Sequence, residues 1–174
     1  MNPNIELDEL IDLADEHDQF VSTAWRLEVD AQKLKYRRVV FAFLRDPVGR
    51  VCLFRRAAHK SDPGTISLPG GHVQSGESYE VAFRREVLEE LRIDVSQHTH
   101  RFLGMVGPHE TWPGNNHKGI FEITVPEMHI DFNCDDFSEF FWVHPHEFFA
   151  NQALYENVGK SMIYVLEKFY LKSE

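Results

Sequence analysis

The stretch Gly71-His-Val-Gln-Ser-Gly-Glu77-Ser-Tyr-Glu-Val-Ala-Phe-Arg-Arg85-Glu86-Val-Leu-Glu89-Glu90-Leu-Arg92-Ile93 decides how the rest of the chain is read. It begins as a glycine loop and runs from Ser78 to Leu91 without Gly or Pro. A helix is expected there, with the Ser78 hydroxyl accepting a backbone N–H as N-cap. Glu86, Glu89 and Glu90 stand at i, i+3 and i+4. At ~100° per residue they share one helix face, and Val81, Leu88 and Leu91 are expected on the opposite side.

Three carboxylates on one face repel one another by a few tenths of a kcal/mol per i,i+4 pair. A bound cation reverses the sign. Hard oxygen ligands suit Mg²⁺ or Mn²⁺, and Mg²⁺ is usually held by one or two carboxylates together with waters and substrate phosphates. The pattern therefore points to phosphate chemistry. Pro69-Gly70-Gly71 lets the backbone turn sharply ahead of the helix, bringing a main-chain carbonyl towards the same ion. By itself, a run of Glu-x-x-Glu-Glu is usually the solvated face of a surface helix. What argues for more is the combination of the Gly loop, Glu77, Arg85-Glu86 and Glu89-Glu90 in one stretch, with Arg85 four residues before Glu89 and placed to hold it.

These residues resemble the Nudix box, G-x5-E-x7-R-E-U-x-E-E-x-G-U, in which U is a bulky aliphatic residue. Gly71, Glu77, Arg85, Glu86, Val87, Glu89, Glu90 and Ile93 match it. Arg92 stands where the last glycine belongs. That glycine ends the helix in the left-handed conformation, which costs a residue with a side chain about 1 kcal/mol. The departure bears on stability or on the helix exit, and touches none of the acidic positions. The resemblance implies an α/β fold, an α/β/α sandwich around a mixed sheet, and hydrolysis of a diphosphate linked to some other moiety. It further implies Mg²⁺, with Mn²⁺ as substitute, held by Glu86, Glu89, Glu90 and the Gly71 carbonyl. Glu89, beside Arg85, is the first choice for the general base. Glu110 and Glu139 are alternatives, because some members of the family use a carboxylate outside the box.

Outward from the box, 174 residues that are 43% hydrophobic suffice for one well-packed domain spanning 1–174 and are too few for two. No apolar run approaches the ~18 residues needed to span a bilayer, and the start Met1-Asn-Pro-Asn-Ile-Glu6 has no charged n-region followed by an apolar h-region, so a cytoplasmic protein is expected. Cys52 and Cys134 are too few for a disulfide framework or a zinc ribbon. The His residues lack zinc-ligand spacing. A formal net charge of -10 argues against binding a nucleic-acid polymer, whose counterions are displaced by basic surface. It leaves a small phosphorylated partner open.

Ahead of the box, Leu10 to Ala24 partly fits a helix, yet its polar centre Asp15-Glu-His-Asp-Gln19 between apolar arms suits a hairpin. The resemblance favours the hairpin, since Nudix proteins close to the isopentenyl-diphosphate isomerase branch begin with a similar acidic extension, here about residues 1–35. Val39–Leu44 is expected as a central strand and Val51–Phe54 as its antiparallel neighbour across the turn Asp46-Pro-Val-Gly49. Arg37, Arg55 and Arg56 are the candidate phosphate-binding side chains, weighed against simple solvation at a strand end. After the box come strands at Arg101–Val106, Ile120–Val125 and Glu139–Val143. A loop from Gly107 to Gly119 carries His109, Glu110 and Trp112 and is the candidate substrate-side flap. Asn151–Leu171 has the spacing of an amphipathic helix. The aromatic segments Phe137–Trp142 and Phe148-Phe149 suit the core, or alternatively a homodimer interface.

Within the resemblance, nucleoside di- or triphosphates lead as substrates, with ADP-ribose and nucleotide sugars next; Pro108, 15 residues beyond Ile93, is the one residue favouring the latter. An isomerase moving the double bond of isopentenyl diphosphate is a further alternative. Its cysteine has no counterpart in Gly64-Thr-Ile-Ser-Leu-Pro69, and Tyr36 stands about where that branch has a histidine. A non-catalytic nucleotide-binding module is the third reading, which loss of the acidic ligands would mark.

Overall fold

The computed structural model describes residues 8–32, 36–110, 115–126 and 130–171. Its elements are β1 (Leu10–Ala14), β2 (Phe20–Trp25), α1 (Arg26–Gln32), β3 (Tyr36–Arg45), β4 (Val51–Arg56), β5 (Ile66–Ser67), α2 (Tyr79–Leu91), β6 (His100–Val106), β7 (Asn116–Thr124), β8 (Phe137–Val143), α3 (Pro145–Ala150) and α4 (Lys160–Tyr170). Trp112, proposed for the flap, lies outside the described residues.

Successive side chains of β3 point to opposite faces, and the apolar run Val39–Leu44 supplies both. Val40, Ala42 and Leu44 pack with Phe83, Val87 and Leu91 of α2. Phe43 packs with Met162, Val165 and Leu166 of α4 on the other side. With a helix over each face, the result is an α/β/α sandwich. The sheet is mixed: β3 runs parallel to β7 from Arg37↔Asn116 to Arg45↔Thr124, while β6 and β7, and β4 and β8, pair antiparallel.

The expected neighbours β3 and β4 pair only at Leu44↔Cys52 and Arg45↔Val51. The edge of β3 is occupied instead by the turn that leads into α2. Ala42 N–H donates to Pro69 O at 3.0 Å, Val40 N–H to Gly71 O at 2.9 Å, and Val73 N–H to Arg38 O at 3.0 Å. Gly70 allows this approach, since its φ is +146° and a Cβ there would lie 2.0 Å from Val40 O. At the start of β3 the same edge is taken by β1, through Leu13↔Arg37 and Ala14↔Tyr36.

Of the two readings of Leu10–Ala24, the hairpin is the one formed, with β1 and β2 antiparallel. Its turn is closed by the Asp15 carboxylate, which accepts from His17 N at 2.8 Å and Gln19 N at 2.9 Å. Asp18, at the left-handed φ of 62°, accepts from Arg38 Nε at 2.7 Å and Tyr79 Oη at 3.1 Å. The hairpin tip is thereby tied to β3 and to the first residue of α2.

Three sequence expectations need correction. Val81 and Leu88 are exposed, and α2 instead buries Ala82, Phe83, Val87 and Leu91 together with Glu86. The helix is rolled so that its first acidic position meets the glycine turn, leaving the 81/88 strip to solvent. β7 begins at Asn116 rather than Ile120, because Asn116–Gly119 extends the parallel ladder along Arg37–Val40 and Gly119 leaves room for the Tyr79 ring. The last helix begins at Lys160 rather than Asn151: Asn157 is left-handed at φ 57°, and Ile66 N–H donates to Asn157 O at 2.8 Å while Gly159 N–H donates to Ile66 O at 3.1 Å. Residues 157–159 are thus used as an extended partner for β5. Phe137 and Phe148 are fully enclosed in the two cores.

Candidate active site

The site is built by the junction of the glycine turn and α2. Ser78 caps the helix, its side chain accepting from Val81 N at 3.2 Å. At the other end Arg92 adopts φ 56° and ψ 24° and its N–H bonds to Leu88 O at 3.1 Å, so this arginine takes up the left-handed exit itself. Between the caps, α2 lays Glu86 directly against Gly71. A Cβ at Gly71 would stand 2.3 Å from Glu86 Oε1, so only glycine leaves space for the carboxylate.

Arg85 is the hub that fixes the acids. Its Nε and Nη2 bind both oxygens of Glu77 at 2.8 and 2.9 Å, and Nη2 also donates to His72 O at 2.9 Å. Nη1 donates to Glu86 Oε1 at 2.8 Å and to Glu89 Oε2 at 3.3 Å. Such a fork suits a guanidinium and not an ammonium. Glu77 in turn accepts from Gln74 N at 3.0 Å, and the Arg85 bonds hold its carboxyl below the ordinary range. Arg85, expected among the catalytic residues, spends its guanidinium on Glu77, Glu86, Glu89 and the His72 carbonyl.

Electrostatics mark two of the three acids. Burial pushes the Glu86 carboxyl up to about 7 against the opposing pull of Arg85, and the charges of Glu89 and Glu9 add to the rise. Glu90 is raised well above the carboxylate range by burial and by Glu86, although Gly70 N–H donates to its Oε2 at 2.7 Å. A buried carboxylate, Glu86, and a half-buried one, Glu90, one helical turn apart and each driven towards its neutral form, make a site that a cation would stabilise. Glu89 is the exposed member, with 58% of its side-chain surface accessible.

Hard oxygen donors against a turn with no room for a Cβ fit a divalent ion such as Mg²⁺. Among the described residues no three acidic, His or Cys side chains converge on one ion position. Glu89 is turned to Arg85 and Glu90 to the Gly70 amide. Coordination by all three requires those two side chains to reorient towards one point. The Gly71 carbonyl already accepts from Val40 N, which leaves it one lone pair.

The remaining sequence candidates fall in separate places. Arg56 donates to Ser61 O at 2.8 Å and to its Oγ at 3.1 Å, and its charge is felt by Glu90. Arg55 bonds the Glu139 carboxylate and donates to Gly64 O at 3.0 Å. Arg37 donates to Asn116 Oδ1 at 3.0 Å at the start of β3. Glu110 is held to α4 by Lys168 Nζ and Tyr164 Oη, both at 2.7 Å, and is pushed down to about 2. These bonds tie Glu110 to α4 and away from the acids of α2. Sequence reasoning overlooked Glu9 and Asp136, each of which adds to the field at one of the buried acids. No local pattern announces them, since Glu9 precedes Glu86 by more than sixty residues and Asp136 follows Glu90 by more than forty.

A family model described as the NUDIX domain matches residues 35–166. An uncharacterised Nudix hydrolase of Nostoc sp. is 32% identical over 164 residues, covering 93% of this chain and 96% of that protein. A Nudix hydrolase of Deinococcus radiodurans is 33% identical over 169 residues, covering 96% and 97%. A crystal structure of a Deinococcus radiodurans protein superimposes with a TM-score of 0.83 at 32% identity, over 93% of this chain and 99% of that one.

Proposed function

The chain belongs to the NUDIX family, and we propose that it is a cytoplasmic, Mg²⁺-dependent pyrophosphohydrolase acting on a nucleoside di- or triphosphate or a related nucleoside diphosphate derivative. The observation that carries this reading is the pair Glu86 and Glu90 at the glycine turn, Glu86 buried with Arg85 as its cationic partner among the described residues and Glu90 bonded to the Gly70 amide. Glu86, Glu90 and, after reorientation, Glu89 and the Gly71 carbonyl are the groups to hold the ion. When bound, the ion neutralises the bridging phosphates and lowers the pKa of a water.

The chain's own residues supply the rest. Glu89, exposed and one turn from Arg85, is the residue to accept the proton of the attacking water, with its second oxygen left for the ion. Arg56, whose charge reaches Glu90, compensates charge on the phosphoryl oxygens, where positioning and electrostatics provide most of the catalysis. No helix among the described residues is long and apolar enough to cross a membrane, in keeping with a small-molecule substrate met in solution.

A panel of nucleoside di- and triphosphates, nucleotide sugars and dinucleotides, assayed for phosphate or nucleotide release with Mg²⁺, with Mn²⁺ and with chelator, tests the reading beside Glu90→Gln. Metal-dependent turnover of at least one nucleoside compound is expected, with nearly all of it lost in the folded variant. Full turnover in Glu90→Gln overturns the assignment.

A further inference from the structure

The N-terminal hairpin runs alongside the glycine turn. Ser75 N–H donates to Leu10 O at 2.8 Å, and Ile11 is bridged to Gln74. One residue before β1, Glu9 is fixed through its backbone, its carbonyl accepting from Arg26 N at 2.8 Å. This register sends its side chain to the box. Glu9 Oε2 lies 3.8 Å from Nδ1 of His72, the residue after Gly71, and 3.5 Å from Arg26 Nη1. Both separations are longer than those of tight hydrogen bonds. Three-quarters of the Glu9 side chain is removed from solvent, and its charge acts on Glu86 at the centre of the site. A second carboxylate brought towards a buried one by a separate segment of chain is unfavourable unless positive charge lies between or beside them. Arg26 offsets part of it.

We propose that Glu9 acts on the ion site from beside it: the hairpin sets a carboxylate next to His72, the residue after Gly71, and docking of the hairpin is coupled to divalent-ion binding. This rests on the ion-binding reading of Glu86 and Glu90 given above. Glu9 acts here as a positioning residue for the ion: it raises the negative potential on the Glu86 side and ties the ion to β1. The hairpin, wholly outside the family-matched segment at 35–166, is then a working part of the site rather than an appendage.

The test is binding of Mn²⁺ alone, followed by the electron paramagnetic resonance of free Mn²⁺, for the full chain and for Glu9→Gln, Glu9→Asp and Glu86→Gln. Amide exchange over Leu10–Trp25 is measured with and without Mn²⁺. Glu9→Gln is expected to weaken Mn²⁺ binding about 10-fold, the scale on which groups outside the immediate ligand set affect a metal site. Mn²⁺ is expected to slow hairpin exchange in the unaltered chain and not in Glu9→Gln. Glu9→Asp, which keeps the charge one methylene short, is expected to fall between, and supplies the comparison if Glu9→Gln does not fold. Unchanged Mn²⁺ affinity in Glu9→Gln and Glu9→Asp, with weakened binding in Glu86→Gln, overturns the role of Glu9 and leaves the ion site standing. Unchanged affinity in Glu86→Gln as well overturns both.

Discussion

Replacing Glu86 by Gln should destroy function and yet stabilise the metal-free protein, by an amount that depends on pH. Burial lifts the Glu86 carboxyl from 4.5 to about 7 in the folded state. An acid with a raised folded pKa binds its proton more tightly when folded than when unfolded. The contribution of Glu86 to stability is therefore most favourable below pH 4.5, falls as the unfolded chain's carboxyl ionises, and levels off once the folded carboxyl also ionises above about pH 7. At about 1.4 kcal/mol per pH unit the whole interval corresponds to about 3 kcal/mol. Coupling to Glu90 and rearrangement of Arg85 reduce what one substitution recovers, so a gain of about 2 kcal/mol is expected above pH 7.5. Gln keeps an acceptor for Arg85 Nη1, which now donates to Glu86 Oε1 at 2.8 Å, so little is lost in exchange. The assay is urea unfolding of both proteins in chelator at pH 4 and pH 8, with the difference between them isolating this one group. Near equality at pH 4 and a more stable variant at pH 8 are expected. A difference that does not change with pH, or a variant less stable at pH 8, refutes the argument that Glu86 is a buried charge awaiting a cation.

Two further outcomes follow from the local geometry. Arg92→Gly should raise thermal stability by about 1 kcal/mol, seen as an increase of a few degrees in Tm, because φ 56° is free of strain for glycine; an unchanged or lower Tm counts against the cap assignment. Gly71→Ala places a methyl carbon 2.3 Å from Glu86 Oε1, so Mg²⁺-dependent turnover should fall at least 100-fold while the circular dichroism of the fold is retained, and wild-type turnover would show that the carboxylate need not lie on the turn.

What the sequence disclosed was whatever is written in short-range spacing. The α2 helix, its Ser78 cap, the acidic positions, the strand period of Val39–Leu44 and the fold class implied by the Nudix resemblance are all local or motif-borne. The misplaced features depend on partners far along the chain. Val81 and Leu88 are apolar at a helical repeat but exposed, because the roll of α2 is set by where Glu86 must meet Gly71. Asn151–Gly159 carries helical spacing, but only a 3-10 turn forms at Gln152–Leu154 and residues 157–159 are drawn out by β5. Arg55 looked like a free phosphate ligand until Glu139 arrived from another strand, and Glu9 had no recognisable company until the hairpin folded back. Charge pairs of this kind have no periodic signature.

The glycine turn does not hang off the scaffold as an ordinary loop does: through Pro69, Gly71 and Val73 it is stitched into the edge of the strand at the molecule's centre. A loop of that sort has no independent slack. The catalytic geometry can loosen only when the middle of the sheet does, so the stiffness of the reaction centre is inherited from the core. Chain insertions that the bend at residues 57–65 could absorb would, between 69 and 73, unpick the fold and the chemistry together.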